Sequence, residues 1–237
     1  MFSLIWKPAL LALAVFLSCV VVPKPLDFYA TIGAALATFV VTFLEERKTN
    51  QKQDEINKKQ HELTEINSHL KETLLISTTS QINQCLAALL NQIAYKRKKF
   101  IPLRANIMIM NDEALKIIYH INMHDMHDLK LELKINQGCA GKSFISKKPI
   151  FCEPKRLNEK ILREKWNLSI EQIRMTKHLG SILSMPILTQ EDEVIGILNI
   201  DSTEYLSKSC FDKRWIQEMC AITATKIREA LMEQKGI

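Results

Sequence analysis

The sequence predicts an α+β domain, an antiparallel sheet with helices on one face, preceded by a two-helix transmembrane hairpin and a helical stalk. Three observations predict this. The first 44 of the 237 residues carry only Lys7, Lys24 and Asp27 as charges. Residues 45–75 are polar, lack Gly and Pro, and are rich in the helix formers Glu, Lys and Gln. The remainder reads as helix, two strands, connections, two strands, helix, an order that packs helices on an antiparallel sheet.

The hairpin rests on two apolar runs, residues 8–22 and 28–44. Each is slightly shorter than the ~20 residues that span a bilayer. Trp6 and Tyr29 suit the interface, and Lys7 can extend its charge to it. Pro23-Lys24-Pro25-Leu26-Asp27 reads as a rigid turn between antiparallel helices. No small-residue cleavage site follows Val22, so the first run reads as an anchor and not as a removed leader. Arg47, Lys48, Lys52, Lys58 and Lys59 follow the second run, against Lys24 alone in the turn. The positive-inside rule then predicts a multi-pass protein of the inner membrane with its soluble domain in the cytoplasm. Residues 8–44 are the expected contact with the lipid bilayer.

In the stalk, residues 45–74, Ile56, Leu63 and Leu70 recur every seven residues, with Ile66 at the intervening seam position. Lys59 and Thr73 interrupt the seam, so it predicts a weak coiled coil that dimerises with help from the domain.

The domain, residues 75–237, opens with the amphipathic stripe Ile82, Leu86, Leu89, Leu90 and Ile93, a helix to about Lys98. Strands over 105–110 and 115–121 form a hairpin around Asn111-Asp112-Glu113. A loop rich in His and Asp runs from His120 to Asp128. Leu129, Leu131, Leu133 and Ile135 then alternate with charged residues. A short helix follows Gly138, and a short strand ends at Cys152. Two helical pieces fill 154–180, with Ser169 as the cap of the second. Strands over 182–188 and 194–200 form a second hairpin, and a last helix runs from Phe211 to about Glu233.

Composition excludes several functions. The net charge of +6 is modest, the basic clusters at 96–99 and 155–156 are isolated, and 7% of residues are aromatic. That is not the basic stripe of a nucleic-acid binder. The six cysteines form no C-x-x-C pair and no zinc spacing, and they read as reduced structural thiols. The His120, His124, Asp125, His127 and Asp128 run reads as a solvated loop, with metal binding as the alternative. No metal site is predicted. No P-loop or Ser-His-Asp set is present.

Three blocks carry a resemblance. They are Asn136-Gln137-Gly138-Cys139-Ala140-Gly141 with Lys148-Pro149-Ile150, then Ser184-Met185-Pro186-Ile187, then the run from Val194 to Ser202. In that order they resemble the GAF domain family, over residues 74–232. The resemblance implies a six-stranded antiparallel sheet with its first and last helices on one face. It also implies a homodimer through the stalk and those terminal helices. A small-molecule pocket is implied on the other face, under a roof of residues 136–180. The Asn-Lys, Phe and Asp-Glu signature of the cyclic-nucleotide version has no counterpart, so the ligand and cofactor stay unknown.

The ligand-binding candidates are Phe144, Phe151, Glu153, Trp166, Ser184, Asn199 and Asp201. The aromatics offer stacking faces, and the carboxylates accept from ligand donors. No catalytic residue is assigned. The function expected is a membrane-anchored sensory or regulatory protein that signals through its stalk to the membrane segment or a partner. Two alternatives stay open. One is a ligand-free docking module. The other resembles the GAF-fold free methionine sulfoxide reductase, with Cys139 as the attacking thiol, Cys152 as its resolving partner and Lys142 lowering the thiol pKa.

Overall fold

The computed structural model describes residues 25–98 and 101–235. The first apolar run, residues 8–22, and the start of the turn lie outside them. The chain divides into two units, Met1–Lys71 and Glu72–Ile237.

A single helix, α1, covers Pro25–Arg97. The second apolar run, the stalk and the first domain helix are therefore one element, because nothing between Pro25 and Arg97 interrupts it except Gly33. This corrects the turn: Pro25, Leu26 and Asp27 open the helix, and proline fits a first helical turn because its missing N–H would be unpaired there anyway. The helix ends with Lys96 and Arg97 in its last turn, where cations suit the negative end of the dipole, and Lys98 follows at φ 54°. Among the described residues, no helix is long and apolar enough to cross a membrane. The second apolar run is helical, but the expected transmembrane hairpin is not supported by the described residues.

The sheet is built from β1 (Leu103–Asn111), β2 (Ala114–Ile121), β3 (Glu132–Lys134), β4 (Ile150–Cys152), β5 (Ser181–Leu188) and β6 (Val194–Ser202). Their order is β3-β2-β1-β6-β5-β4, and every pair is antiparallel. Four short helices join them: α2 (Gly138–Ser146), α3 (Glu159–Glu164), α4 (Ile170–Thr176) and α5 (Leu206–Ser209). The last helix, α6, is Arg214–Lys235. The alternation expected over 129–135 yields only the three residues of β3, because Asp128–Lys130 form a turn of 3-10 helix first.

One face of the sheet carries the main core. Leu103, Ala105 and Ile107 of β1, Leu183, Met185 and Ile187 of β5, and Leu198 and Ile200 of β6 pack there. They meet Ile82, Leu86, Leu89, Leu90 and Ile93 of α1 and Ile216, Cys220 and Ile227 of α6. Phe211, just before α6, is fully buried in the same cluster. Burial without water or a charged neighbour pushes the Cys220 thiol up to about 12.

The opposite face has a smaller apolar cluster of Met108, Leu115, Leu133, Leu162, Leu168, Ile173 and Ile197. A bulge explains how β2 serves both faces. Ile107 pairs with Tyr119 but Met108 pairs with Ile117, so Ile118 is the extra residue. A one-residue insertion flips every later side chain. Leu115 and Ile117 therefore face the second cluster, while Tyr119 and Ile121 join the first.

A candidate ligand cavity under the roof

Residues alternating with the main core on β1, β5 and β6 point the other way, and beside the apolar Met108 and Ile197 they include a row of polar side chains. In register, Ser184 lies opposite Asn199, and Asn199 lies opposite Asn106. The Ser184 hydroxyl donates to Asn199 Oδ1 at 2.6 Å, and Asn199 Nδ2 donates to Asn106 Oδ1 at 2.9 Å. Asn106 Nδ2 then points at the Met123 sulfur, 3.6 Å away. All three polar side chains are buried. The row crosses three strands because cross-strand neighbours on one face sit side by side.

Two residues further along the same strands, charge replaces amide. Arg104 lies opposite Asp201. Its Nε donates to Asp201 Oδ1 at 2.6 Å and its Nη1 to Asp128 Oδ2 at 2.5 Å. The side chains of Arg104, Asp128 and Asp201 are 18%, 10% and 6% exposed. His178 Nε2 lies 3.8 Å from the same Asp128 oxygen. Burial raises the Asp201 carboxyl above its ordinary value; Arg104 opposes this without cancelling it. For Arg104, burial pulls the guanidinium down, but Asp201 and Asp128 together outweigh it and hold it above its ordinary value.

The roof is α2, α3 and α4. Gly138 enters α2 at φ +59°, a conformation that side chains rarely adopt. A Cβ on Gly141 would sit 2.6 Å from the Lys134 carbonyl oxygen and 2.9 Å from the Asn136 nitrogen. Both glycines are needed to fold the helix back against β3. The Ser143 hydroxyl donates to the Lys148 carbonyl at 2.8 Å, and Gly138 N–H donates to the Trp166 carbonyl at 2.8 Å. Ser169 caps α4 in a reciprocal capping box with Gln172, which also donates to the Glu132 carbonyl and so ties α4 to β3.

Roof and sheet enclose a cavity of about 70 Å³, with Arg104, Asn106, Asp128, Asp201, Cys139 and Trp166 in its wall. That is room for on the order of five water-sized groups. The Cys139 and Cys152 sulfurs also line it and lie 2.9 Å apart. Burial first, and Cys152 next, push the Cys139 thiol well above its ordinary value; Lys142 pulls the other way and is overcome. The attraction expected from Lys142 is thus present but too weak, and the Lys142 ammonium sits 4.7 Å from the Trp166 ring instead.

Of the seven residues expected to bind ligand, Trp166, Ser184, Asn199 and Asp201 line this cavity. The other three lie apart from it. Phe144 packs against the smaller apolar cluster. Phe151 is 43% exposed on the outer side of edge strand β4. Glu153 accepts from the Leu206 N–H at 2.8 Å and pairs with Arg156, holding α5 in place. Strand alternation is the physical reason, since Cys152 faces the cavity and its neighbours Phe151 and Glu153 cannot. Arg104, Asn106 and Asp128 are site residues that sequence reasoning missed. His178 also stands beside Asp128. Among the described residues, no group of three His, Cys, Asp or Glu side chains is placed to hold a metal ion.

Comparison with known proteins identifies the fold. The GAF domain region of a protein from Geobacter sulfurreducens PCA superposes with a TM-score of 0.51 at 13% identity, covering 68% of this chain and 97% of that one. The GAF domain of a phosphoenolpyruvate-protein phosphotransferase from Acinetobacter gives 0.46 at 13% identity, covering 71% and 96%. A type II free methionine-R-sulfoxide reductase from Thermoplasma acidophilum gives 0.45 at 16% identity, covering 64% and 95%. No family model matches the sequence, and no curated protein matches it. The domain therefore has the GAF fold, as the three sequence blocks imply.

Proposed function

We propose that this chain is a membrane-anchored sensory or regulatory protein whose GAF-like domain holds a small molecule in the cavity beneath residues 136–180. The observation that carries the reading is the Asp128–Arg104–Asp201 group facing unfilled space. Buried charges stabilise a fold less well than apolar residues of the same volume, so such a group argues for a use beyond stability. A docking module without a ligand would be expected to fill this space with apolar side chains.

The ligand's chemistry follows from the wall. Two carboxylates face one guanidinium, and each carboxylate keeps acceptor capacity beyond its bond to Arg104. A hydrogen-bond donor or a cationic group is favoured there, with an apolar body against Met108, Leu133, Leu162 and Trp166. At 70 Å³, below the ~300–1,000 Å³ of typical ligand pockets, the space holds only a few non-hydrogen atoms, and a larger ligand would need the roof to open. Thiol catalysis is the weaker reading, because a buried thiol with a raised pKa is not the thiolate that attack requires.

The output is assigned to the terminal helices, the stalk and the membrane segment or a partner protein. Leu36, Phe39, Val40, Val41, Phe43 and Leu44 are exposed on α1, and with residues 8–22 they form the proposed bilayer contact. Ile56, Leu63, Ile66 and Leu70 are also exposed, a seam that a second copy would cover. Within the domain, a groove between Cys85, Ala88 and Leu89 of α1 and Met219, Ile222 and Ala230 of α6 is the homodimer contact proposed for the terminal helices. The basic flank after the second apolar run supports a domain in the cytoplasm at the inner membrane.

A thermal-shift screen of the purified full-length protein against small amines, amino acids and nucleotides tests the ligand. A compound that stabilises the parent but not Asp201→Asn supports the reading. Stabilisation of both proteins alike would remove the cavity from the account.

A further inference from the structure

We propose that Cys139 and Cys152 form an oxidation site for hydrogen peroxide, closing to a disulfide that fixes the roof helix α2 to the edge strand β4. The two sulfurs are already in contact at 2.9 Å, although thirteen residues separate them in sequence. Cys139 sits in the first turn of α2 and Cys152 is the last residue of β4. The chain between them turns through Lys147, at φ 55°. Nothing but this fold brings the thiols together, and both line the cavity.

The order of events follows from exposure. Cys139 is buried, whereas Cys152 is partly exposed. Peroxide therefore meets Cys152 first. The Cys152 sulfur attacks one peroxide oxygen, the O–O bond breaks, and the products are the Cys152 sulfenic acid and one water. The Cys139 thiol, already in contact with the Cys152 sulfur, then condenses with the sulfenic acid: the S–S bond forms as the S–O bond breaks, the Cys139 proton passes to the departing oxygen, and a second water leaves without a free thiolate. Two thiols are oxidised to one disulfide, and one peroxide is reduced to two waters. A small dithiol reverses the bond by exchange.

The consequence for the cavity rests on the ligand reading above; the crosslink itself does not. Gly138 at the start of α2 is bonded to the Trp166 carbonyl, so a tether at Cys139 restrains both walls of the cavity. Oxidation should hold the roof in one position and slow the entry and exit of anything beneath it.

Full-length protein in detergent, reduced and then treated with hydrogen peroxide, provides the test. Non-reducing peptide mapping should recover residues 139 and 152 in one crosslinked pair lacking two hydrogens. Cys139→Ser should accumulate a Cys152 sulfenic acid that dimedone traps, and Cys152→Ser should leave Cys139 unmodified at the same dose. Hydrogen exchange over residues 138–146 should slow in the oxidised protein and recover with dithiothreitol. Oxidation confined to Cys85 or Cys210, or a persistent Cys152 adduct in the parent protein, would overturn the site. A crosslink that forms without slowing exchange would overturn the restraint of the roof and leave the ligand reading intact.

Discussion

The two faces of this sheet are made from the same strands, yet they follow opposite rules. Toward α1 and α6, β1 presents Leu103, Ala105 and Ile107, and β6 presents Leu198 and Ile200. Toward the roof, the alternating residues are Arg104 and Asn106, and Asn199 and Asp201. One face is filled with apolar side chains and leaves little to specify beyond volume. The other keeps a hydrogen-bonded polar row, a buried charge group and open space. Strand alternation lets one set of strands do both, with the main core on one side and the polar row and cavity on the other.

The comparison breaks most visibly on the apolar face. Phe211→Ala empties a fully buried site, and unfolding in urea should show a loss of about 3–5 kcal/mol with ligand contacts untouched. On the polar face, Arg104→Ala strands Asp128 and Asp201 without a counter-charge. It should cost roughly 3 kcal/mol at neutral pH, less as acid protonates the carboxylates. Ser184→Ala removes one donor from the row and should cost only about 1 kcal/mol.

Two titrations sharpen the contrast. On the apolar face, Cys220 has its folded pKa raised to about 12. The neutral thiol's contribution is complete below the unfolded value and is lost as pH rises toward 12. From about pH 8.5 the loss is about 1.4 kcal/mol per pH unit, and Cys220→Ala should flatten that part of the curve. On the polar face, Asp201 also has a raised folded pKa. Its contribution is complete below the unfolded value near ~3.9 and is lost as pH rises through the folded value. Asp201→Asn should remove that slope while abolishing ligand retention.

The apolar face was the more legible in sequence. Periodicities of 3.6 and 2 identify the α1 stripe and the four long strands, and Ser169 with Gln172 announces the cap of α4. The polar face depends on register, which sequence does not print. Asn106 and Asn199 are 93 residues apart and meet only because β1 pairs with β6. Arg104 fell one residue outside the strand expected from 105, and Asp128 belonged to a loop that reads as solvated. A signal was present in β1, where Arg104 and Asn106 interrupt Leu103, Ala105 and Ile107 at alternate positions. Phe144, Phe151 and Glu153 were near in sequence to the roof, but alternation and packing turn them away. The bulge at Ile118 left no mark in a run of apolar residues.

Native mass spectrometry of the full-length protein, purified in detergent from a metabolite-rich extract, would show whether the cavity holds a ligand. The parent should retain a small molecule that is released on denaturation and absent from Asp201→Asn. A parent protein that stays empty after incubation with amines, amino acids, nucleotides, haem and bilins would contradict it.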